Sequence, residues 1–382
     1  MSFQLQMPAR VTLGEGVLVQ VEETIGRNRA KRVLVCTDET LRKLGVTSLL
    51  ESVIAKTGAS MEIVDNIKAE PSVPDVEKSL GTIKNTAADL LIAIGGGSVM
   101  DTAKIIAVLL GASYGIKELL SDPSRARKFC PTLMIPTTCG TGSEATCNAI
   151  VSIPEEQVKK GIVSAAFIPD EVILDVDNIK GLPKSIIAAT GVDALAHCVE
   201  CYTSKKATPL SDLYASGGAK LIFHHIEKAY TERDGGSLQN MLLGAFYGGA
   251  AITGSGTTAV HALSYPLGGR YHVPHGVSNA ILFARVMAFN KDACGERLAA
   301  LCDAVYPKHN ARAAGEKADF IIRRISEIVK NTNIPVSLKD FGVKEEDLED
   351  MVQSGIRQKR LLDNNMKELS PDDIRDIYRQ VI

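Results

Sequence analysis

The 382-residue sequence has no excess of charge of one sign, no long hydrophobic run, no disulfide framework and no internal repeat. Each absence removes a class of function. Lys and Arg number 43 against 45 Asp and Glu, a formal net charge of -2 with both signs spread along the chain. That leaves no electrostatic footprint for nucleic acid or an anionic membrane, so a small-molecule partner is expected. The longest apolar stretches, such as IIAVLLGASYGI from Ile105, fall short of the roughly 18 to 20 residues that a bilayer crossing needs. The opening MSFQLQMPARVTLGEG lacks a basic region, an apolar run and a small-residue cleavage site, so no secretory signal is expected. Eight scattered cysteines then point to free thiols in a reducing cytoplasm. Cys198 and Cys201 form a CxxC, but inside a helical pattern and without a second pair, which reads as incidental packing.

At this length two domains are expected, and the two halves differ in pattern. Short apolar, β-branched runs recur at 32–36, 61–65, 90–94, 132–136 and 171–175, separated by helical stretches such as VEKSLGTIKNTAADL. Continuous apolar strands of this kind suit a parallel sheet buried on both faces. Beyond Gly181-Leu182-Pro183 the strand signal fades into helical periodicity, as in KSIIAATGVDALAHCVECYTS and ADFIIRRISEIVKNTN. The expectation is an α/β domain over 1–182 and an all-α domain over 183–382, with Gly181 allowing the turn and Pro183 marking the boundary.

In the first half, LLIAI runs into Gly95-Gly96-Gly97-Ser98 and then a helix carrying Asp101. Glycines let a backbone approach a pyrophosphate, and the first amides of a helix point at its charge. The pattern differs from GxGxxG, whose acidic ribose-binding residue follows the glycines. Here Asp38, after the strand ending at Cys36, precedes them. Its carboxylate can bind a ribose diol and repel a 2′-phosphate, favouring NAD over NADP, or it can cap the following helix. A second polar turn, Thr137 to Thr146 with Thr138 between, follows TLMIP, at a strand end where open α/β sheets bind ligands.

In the second half Asp193 and His197 are four apart on a predicted helix and share one face. VHALSYPLGGRYHVPHG adds His261 and His275, with Pro-Leu-Gly-Gly expected to double the chain back between them. Three imidazoles and a carboxylate suit Fe²⁺ or Zn²⁺. Spacing alone leaves His272 as a competing ligand, and leaves open the reading of these histidines as ordinary core residues.

GGGSxxD, IPTTxGTGSEAT, ATGxDALxHxxE and HxLxxPLGGxYHxPHG stand in this chain in that order. The sequence thereby resembles the iron-containing (group III, class IV) alcohol dehydrogenase family along nearly its whole length. The resemblance implies a dehydroquinate synthase-like fold: a Rossmann-like α/β nucleotide domain, an all-α metal domain, and catalysis in the cleft between them. It implies Asp193, His197, His261 and His275 as metal ligands for Fe²⁺, with Zn²⁺ as an alternative. It also implies dinucleotide contacts at Asp38, Gly96, Gly97, Ser98, Asp101, Thr137, Thr138, Thr146, Lys159, Gly181 and Leu182. The expected activity is NAD(P)-linked oxidation of a small alcohol or reduction of an aldehyde, and the expected assembly is a homodimer or larger homo-oligomer through the N-terminal edge strand.

Two departures from the family pattern bear on substrate and proton path. Tyr265 stands where many members carry histidine, and a phenol with an ordinary pKa near 10 is the poorer base at neutral pH. Its Ser-Tyr-Pro setting resembles the hydroxyacid-oxoacid transhydrogenase branch, which implies a 4-hydroxybutyrate-type substrate. The stretch Thr253-Gly254-Ser255-Gly256-Thr257-Thr258 replaces a more aromatic one; it either lines a polar pocket, as Asn148 also suggests, or lets helices pack closely. The alternatives of another class are a dehydroquinate synthase-like lyase and a catalytically idle metal-binding protein.

Overall fold

The computed structural model describes residues 2–84, 87–155 and 158–382. The helical reading of 76–90 extends over residues 85 and 86, and the N-terminal reading begins at Met1; those three lie outside the described residues. Two compact units emerge: Gln6–Thr138 with Gly142–Gly181, and Leu182–Ile382 joined by Cys139–Thr141 and the chain start up to Leu5.

The first unit is built on a six-stranded sheet in the order β1-β8-β5-β4-β2-β3, in which every strand pair is parallel. The strands are β1 (Arg10–Gly14), β2 (Arg32–Cys36), β3 (Ser60–Val64), β4 (Leu90–Gly95), β5 (Thr132–Pro136) and β8 (Glu171–Asp175). All of β4 and β5 is buried, which is why both read as unbroken apolar runs rather than alternating ones. An antiparallel hairpin, β6 (Asn148–Ile153) and β7 (Val158–Val163), stands apart from the sheet. It was not legible in the sequence.

The strand order turns the chain outward from β2 to β3 and then back across to β4. The switch point therefore lies between β2 and β4, where open α/β sheets bind ligands beyond the strands' carboxyl ends. Asp38 follows β2 and the glycine turn follows β4, so both stand at that point. The register Gly95 to Pro136 sets the turn after β5 beside the glycine turn. Short helix α1 (Glu39–Lys43) follows Asp38, and α2 (Gly97–Leu109) follows Gly96.

The second unit is helical. Its main elements are α3 (Lys184–Tyr202), α4 (Pro209–Thr231), α5 (Gly235–Ser255), α6 (Ala259–Tyr271), α7 (His275–Val305) and α8 (Ala314–Asn331). Pro183 is the N-cap of α3, as a residue with fixed φ suits. Gly181 sits at φ -82° in right-handed space, so the boundary turn does not depend on glycine there. The expected reversal at Pro-Leu-Gly-Gly is also corrected. Pro266 to Gly269 continue inside α6, and the chain turns at His272, which adopts φ 54°. At Pro266 the helix forgoes one backbone hydrogen bond, because proline has no N–H to donate to the carbonyl four residues earlier.

Close helix approach in this unit depends on missing Cβ atoms. A Cβ on Gly218 would lie 2.6 Å from Cys198 Sγ, and one on Gly276, at the start of α7, would lie 2.7 Å from the Ala189 carbonyl carbon. Backbone on α3 cannot yield as a flexible side chain can. Gly276→Ala is therefore expected to lower unfolding free energy by about 1 to 3 kcal/mol in urea titration; an unchanged midpoint would show that α7 can slide away from α3 without cost.

Candidate metal centre

Asp193 and His197 lie one turn apart on α3, His261 on the first turn of α6 and His275 at the first position of α7. Ligand atoms of Asp193, His261 and His275 all fall within 4.8 Å of one another. The carboxylate is the common point: Asp193 Oδ1 is 3.5 Å from His261 Nε2, 3.6 Å from His275 Nε2 and 3.8 Å from His197 Nε2. The His197 ring stacks on that of His261 at 4.7 Å between centroids. His272 is exposed in the left-handed turn and takes no part in the group.

These spacings fit a metal ion. Bonds of ~2.1 Å around a tetrahedral ion put its ligand atoms ~3.4 Å apart, which is close to the distances between Asp193 Oδ1 and the three ring nitrogens. The donor set, three imidazoles and one carboxylate, is that of a borderline divalent ion such as Fe²⁺ or Zn²⁺. Side-chain exposure is 4% for Asp193, 6% for His197 and 3% for His261, against 31% for His275. The open side of the group is therefore the side of His275, where Tyr265 also stands, half-buried, with its ring centroid 6.0 Å away.

Burial opposes the charge on Asp193, but the neighbouring His197, His275 and His261 hold its carboxyl well below the usual range. Burial pushes His197 down, against the pull of Asp193. His261 behaves oppositely: Glu200 and Asp193 outweigh burial and raise it to about 9.

Two buried residues that spacing did not single out complete the centre. The Asn279 amide donates to Asp193 Oδ1 at 2.6 Å and lies 3.1 Å and 3.3 Å from the Nε2 atoms of His261 and His275. Glu200, fully buried on α3, meets His261 Nδ1 with one oxygen and accepts hydrogen bonds from Thr258 and Val260 with the other. Glu200 follows His197 by three residues and was visible as a helical position, but its partners come from residues 258 to 261.

The nucleotide turn in the first unit can be tested for fit in the same way. Gly96 precedes α2 in extended conformation without a side-chain cap, and a Cβ there would meet Thr138 at 3.6 Å. The hydroxyls of Thr37 and Thr138 and the Asn66 side-chain oxygen are buried at or near strand ends with no hydrogen-bond partner among the described residues. Such orphaned groups cost stability unless a ligand meets them, and they fit a polar cofactor lying across β2, β4 and β5. Asp38 caps α1, accepting from Leu41 N at 2.9 Å through Oδ1. Lys159 pairs with Glu70 at 2.7 Å, and the Glu70 amide donates to Ser98 Oγ. That brings Lys159 beside the glycine turn.

Asp101 and Thr146 reach the same region but are engaged internally. Asp101 accepts from Ser143 Oγ at 2.5 Å and Ile150 N at 2.9 Å. Buried Lys104 donates to Thr146 Oγ1, Thr146 O and Asn148 O, and lies 3.7 Å from Asp101. Together they clamp the Thr137 to Thr146 turn to α2. The Thr253 to Thr258 stretch is likewise taken up by packing. A Cβ on Gly254 would press within 3.0 Å of Ser211, Ser255 Oγ bonds Cys201 O, and Gly256 needs φ 78°. The cysteines are free thiols, Cys198 and Cys201 among them, and both are buried.

Comparison with known proteins agrees with this geometry. The profile described as "Iron-containing alcohol dehydrogenase" matches residues 8–176, and that of the "Fe-containing alcohol dehydrogenase family, C-terminal" matches 187–382. The chain belongs to the iron-containing alcohol dehydrogenase family. It is 33% identical to long-chain-alcohol dehydrogenase 1 of Geobacillus thermodenitrificans, over 98% of this chain and 95% of the other. It is 28% identical to the NAD-dependent methanol dehydrogenase of Bacillus methanolicus, over 98% and 99%. The solved structure of an alcohol dehydrogenase from Oenococcus oeni superposes with a TM-score of 0.94 at 26% identity, over all of both chains. The fold is thus that of the family, an α/β unit with a parallel sheet followed by helices, and the activity class is alcohol and aldehyde oxidoreduction.

In the Thr137 to Thr146 turn, burial pushes the Glu144 carboxyl up to about 7. Between the unfolded value of 4.5 and that pKa the folded state holds the extra proton, so stability should fall as pH rises through the window and level off above it. The span is about 3 kcal/mol. Glu144→Gln should flatten the curve of unfolding free energy between pH 5 and 7; a slope equal to the parent's would assign it to another group.

Proposed function

We propose that this chain is an NAD-linked, metal-dependent alcohol dehydrogenase and aldehyde reductase whose metal is held by Asp193, His197, His261 and His275. The convergence of three ring nitrogens on one carboxylate oxygen, with an open side at His275, carries the reading. Residues 1–182 bind the dinucleotide and 183–382 the metal. A divalent ion held by these four residues would polarise an alcohol or carbonyl oxygen, and a dinucleotide held by the first unit would supply the hydride-transfer chemistry.

The protein's own groups do the remaining work. Asp193 is the anion that fixes the ring nitrogens; its two neighbours on α3 and α6 are dry, so its charge acts undiluted by water. Tyr265, on the open side, holds or passes the proton of the substrate hydroxyl. Asp38 receives the adenosine ribose, and its charge disfavours a 2′-phosphate. Gly96, Gly97, Ser98 and Thr138 cradle the pyrophosphate, with Thr137, Lys159, Gly181 and Leu182 as further contacts. Asp101 and Thr146 serve that site chiefly by holding the turn in place.

The names of the two relatives run from methanol to long-chain alcohol dehydrogenase, so family membership leaves the alcohol open. Tyr265 supports a small polar or acidic alcohol, with a 4-hydroxybutyrate-type acid as its finer form. The free thiols support a cytoplasmic setting. No helix among the described residues is long and apolar enough to cross a membrane. Strand β1 lies at the sheet edge, which supports a homodimer formed through it.

A spectrophotometric screen of NAD and NADP reduction over short alcohols, diols and hydroxy acids tests the activity. His275→Ala and Asp193→Asn should lose bound Fe²⁺ and at least 100-fold in kcat/KM, about 2.7 kcal/mol. Full turnover of His275→Ala after metal removal would refute the assignment. Tyr265→Phe should lower kcat by roughly 10² with little change in metal content, and Tyr265→His should recover activity near neutral pH. Equal kcat for parent and phenylalanine variant would remove Tyr265 from the proton path.

A further inference from the structure

His261 needs one lone pair to face the metal group, and its imidazole offers that pair on either nitrogen depending on where the proton sits. On the metal side Nε2 faces both an acceptor, Asp193 Oδ1 at 3.5 Å, and a donor, Asn279 Nδ2 at 3.1 Å, so that side does not decide the matter. The decision lies on the other side of the ring, at Glu200.

Asp193, His197 and Glu200 stand at i, i+4 and i+7 on α3, one stripe of that helix. Glu200 is 0% exposed. Its Oε1 accepts from Thr258 N at 3.1 Å, Thr258 Oγ1 at 2.7 Å and Val260 N at 2.8 Å. Those amides open α6, whose N-cap Thr258 makes no side-chain cap of its own. Glu200 therefore caps α6 from a different helix, placing a carboxylate where the unpaired N–H groups and the helix dipole favour negative charge. His261 is the third residue of the helix so capped.

With Oε1 occupied by three donors, Glu200 has Oε2 left, and that atom meets His261 Nδ1. An acceptor-only oxygen requires the ring nitrogen opposite it to carry the proton. Nδ1 is thus the N–H of the neutral ring, and Nε2, facing Asp193 Oδ1, presents a lone pair. The Thr257 carbonyl just before the cap is itself held by Asn364 Nδ2 at 3.0 Å, so the donors to Glu200 are fixed in turn.

We infer that Glu200 is a positioning residue of the metal centre: through Thr258 and Val260 it fixes the start of α6, and through Nδ1 it sets the His261 tautomer that can bind a cation. The inference rests on the reading of Asp193, His197, His261 and His275 as the metal group. It assigns Glu200 no contact with substrate or cofactor.

Glu200→Gln is the decisive variant because it preserves shape. To keep the three donors satisfied the amide must turn its oxygen toward Thr258 and Val260, which presents its NH₂ to His261. Nδ1 must then accept, and the proton moves to Nε2, into the metal group. The full-length protein is stripped of metal, and Zn²⁺ affinity is measured by equilibrium dialysis for the parent, Glu200→Gln, Glu200→Asp and His261→Ala. The imidazole tautomer is read by ¹⁵N-histidine NMR on the metal-free forms at about pH 10, above the raised pKa of His261, where the ring is neutral. The expected result is a 10- to 100-fold weaker Zn²⁺ affinity for Glu200→Gln, with the ring signal changed from Nδ1–H to Nε2–H. Glu200→Asp, still an acceptor, should recover part of the affinity and keep the parent tautomer.

Glu200→Gln binding Zn²⁺ within twofold of the parent, while His261→Ala loses it, would overturn the inference and leave the metal reading standing. Equal losses in the glutamine and aspartate variants with the tautomer unchanged would also overturn it, since a merely structural role predicts that pattern. Undiminished binding by His261→Ala would instead bring down the metal reading beneath it. Should Glu200→Gln fail to fold, Thr258→Val serves in its place. Removing one donor to Oε1 should weaken Zn²⁺ by a few fold, and unchanged affinity there counts against the inference.

Discussion

One desolvated carboxylate oxygen, Asp193 Oδ1, sets the terms for the helical unit. It lies within 3.8 Å of three imidazole nitrogens and accepts a hydrogen bond from Asn279. A lone anion buried to this degree would cost several kcal/mol after relaxation, so the surroundings must answer its charge. Glu200, a second carboxylate without exposure, lies on the far side of His261. Two buried anions interleaved with three imidazoles form an assembly that a divalent cation brings to neutrality. The donor types and the charge count point to the same occupant, and helices α3, α6 and α7 are packed as they are because each must deliver its ligand to that one atom.

Delivery explains why close packing matters more here than side-chain bulk. Gly276 lets α7 begin against the Ala189 carbonyl, one residue after His275. The Thr253 to Thr258 stretch ends α5 and starts α6 with a positive-φ glycine, a serine bonded to the α3 backbone and a threonine bonded to Glu200. Of the two readings the sequence allows for this stretch, polar lining or close helix packing, these contacts belong to the second.

The legible part of the site was the part carried by local periodicity. Asp193 and His197 four apart on a helix follow from the 3.6-residue repeat, and the glycine turn and Asp38 from the unbroken apolar runs that end just before them. The chain turns between His261 and His275 at His272, not at the proline and glycines of Pro-Leu-Gly-Gly. Their conformational preferences yield to helix packing in α6, and His272 adopts the strained φ instead. The roles of Asn279 and Glu200 were illegible because the partners that define them, Asp193 for Asn279 and His261 for Glu200, lie 86 and 61 residues away. Lys104 gave no signal for a similar reason. A lysine inside an apolar helix is intelligible only when Thr146, Asn148 and Asp101 are seen around its ammonium group.

Substrate choice reduces to a narrow question once these structural duties are removed. The Thr253 to Thr258 hydroxyls lose much of their claim as a lining, since Ser255 and Thr258 already bond within the helical unit. What remains is the open side of the metal group, where His275 and Tyr265 stand with ring centroids 6.0 Å apart. A phenol at that position differs from an imidazole in two ways: it holds its proton more firmly at neutral pH, and it can donate a hydrogen bond without becoming charged. Such a donor favours a substrate whose second polar group can accept that bond. Under the proposed function, position 265 bears on proton handling and specificity together, so both must be measured on the same variants to be told apart.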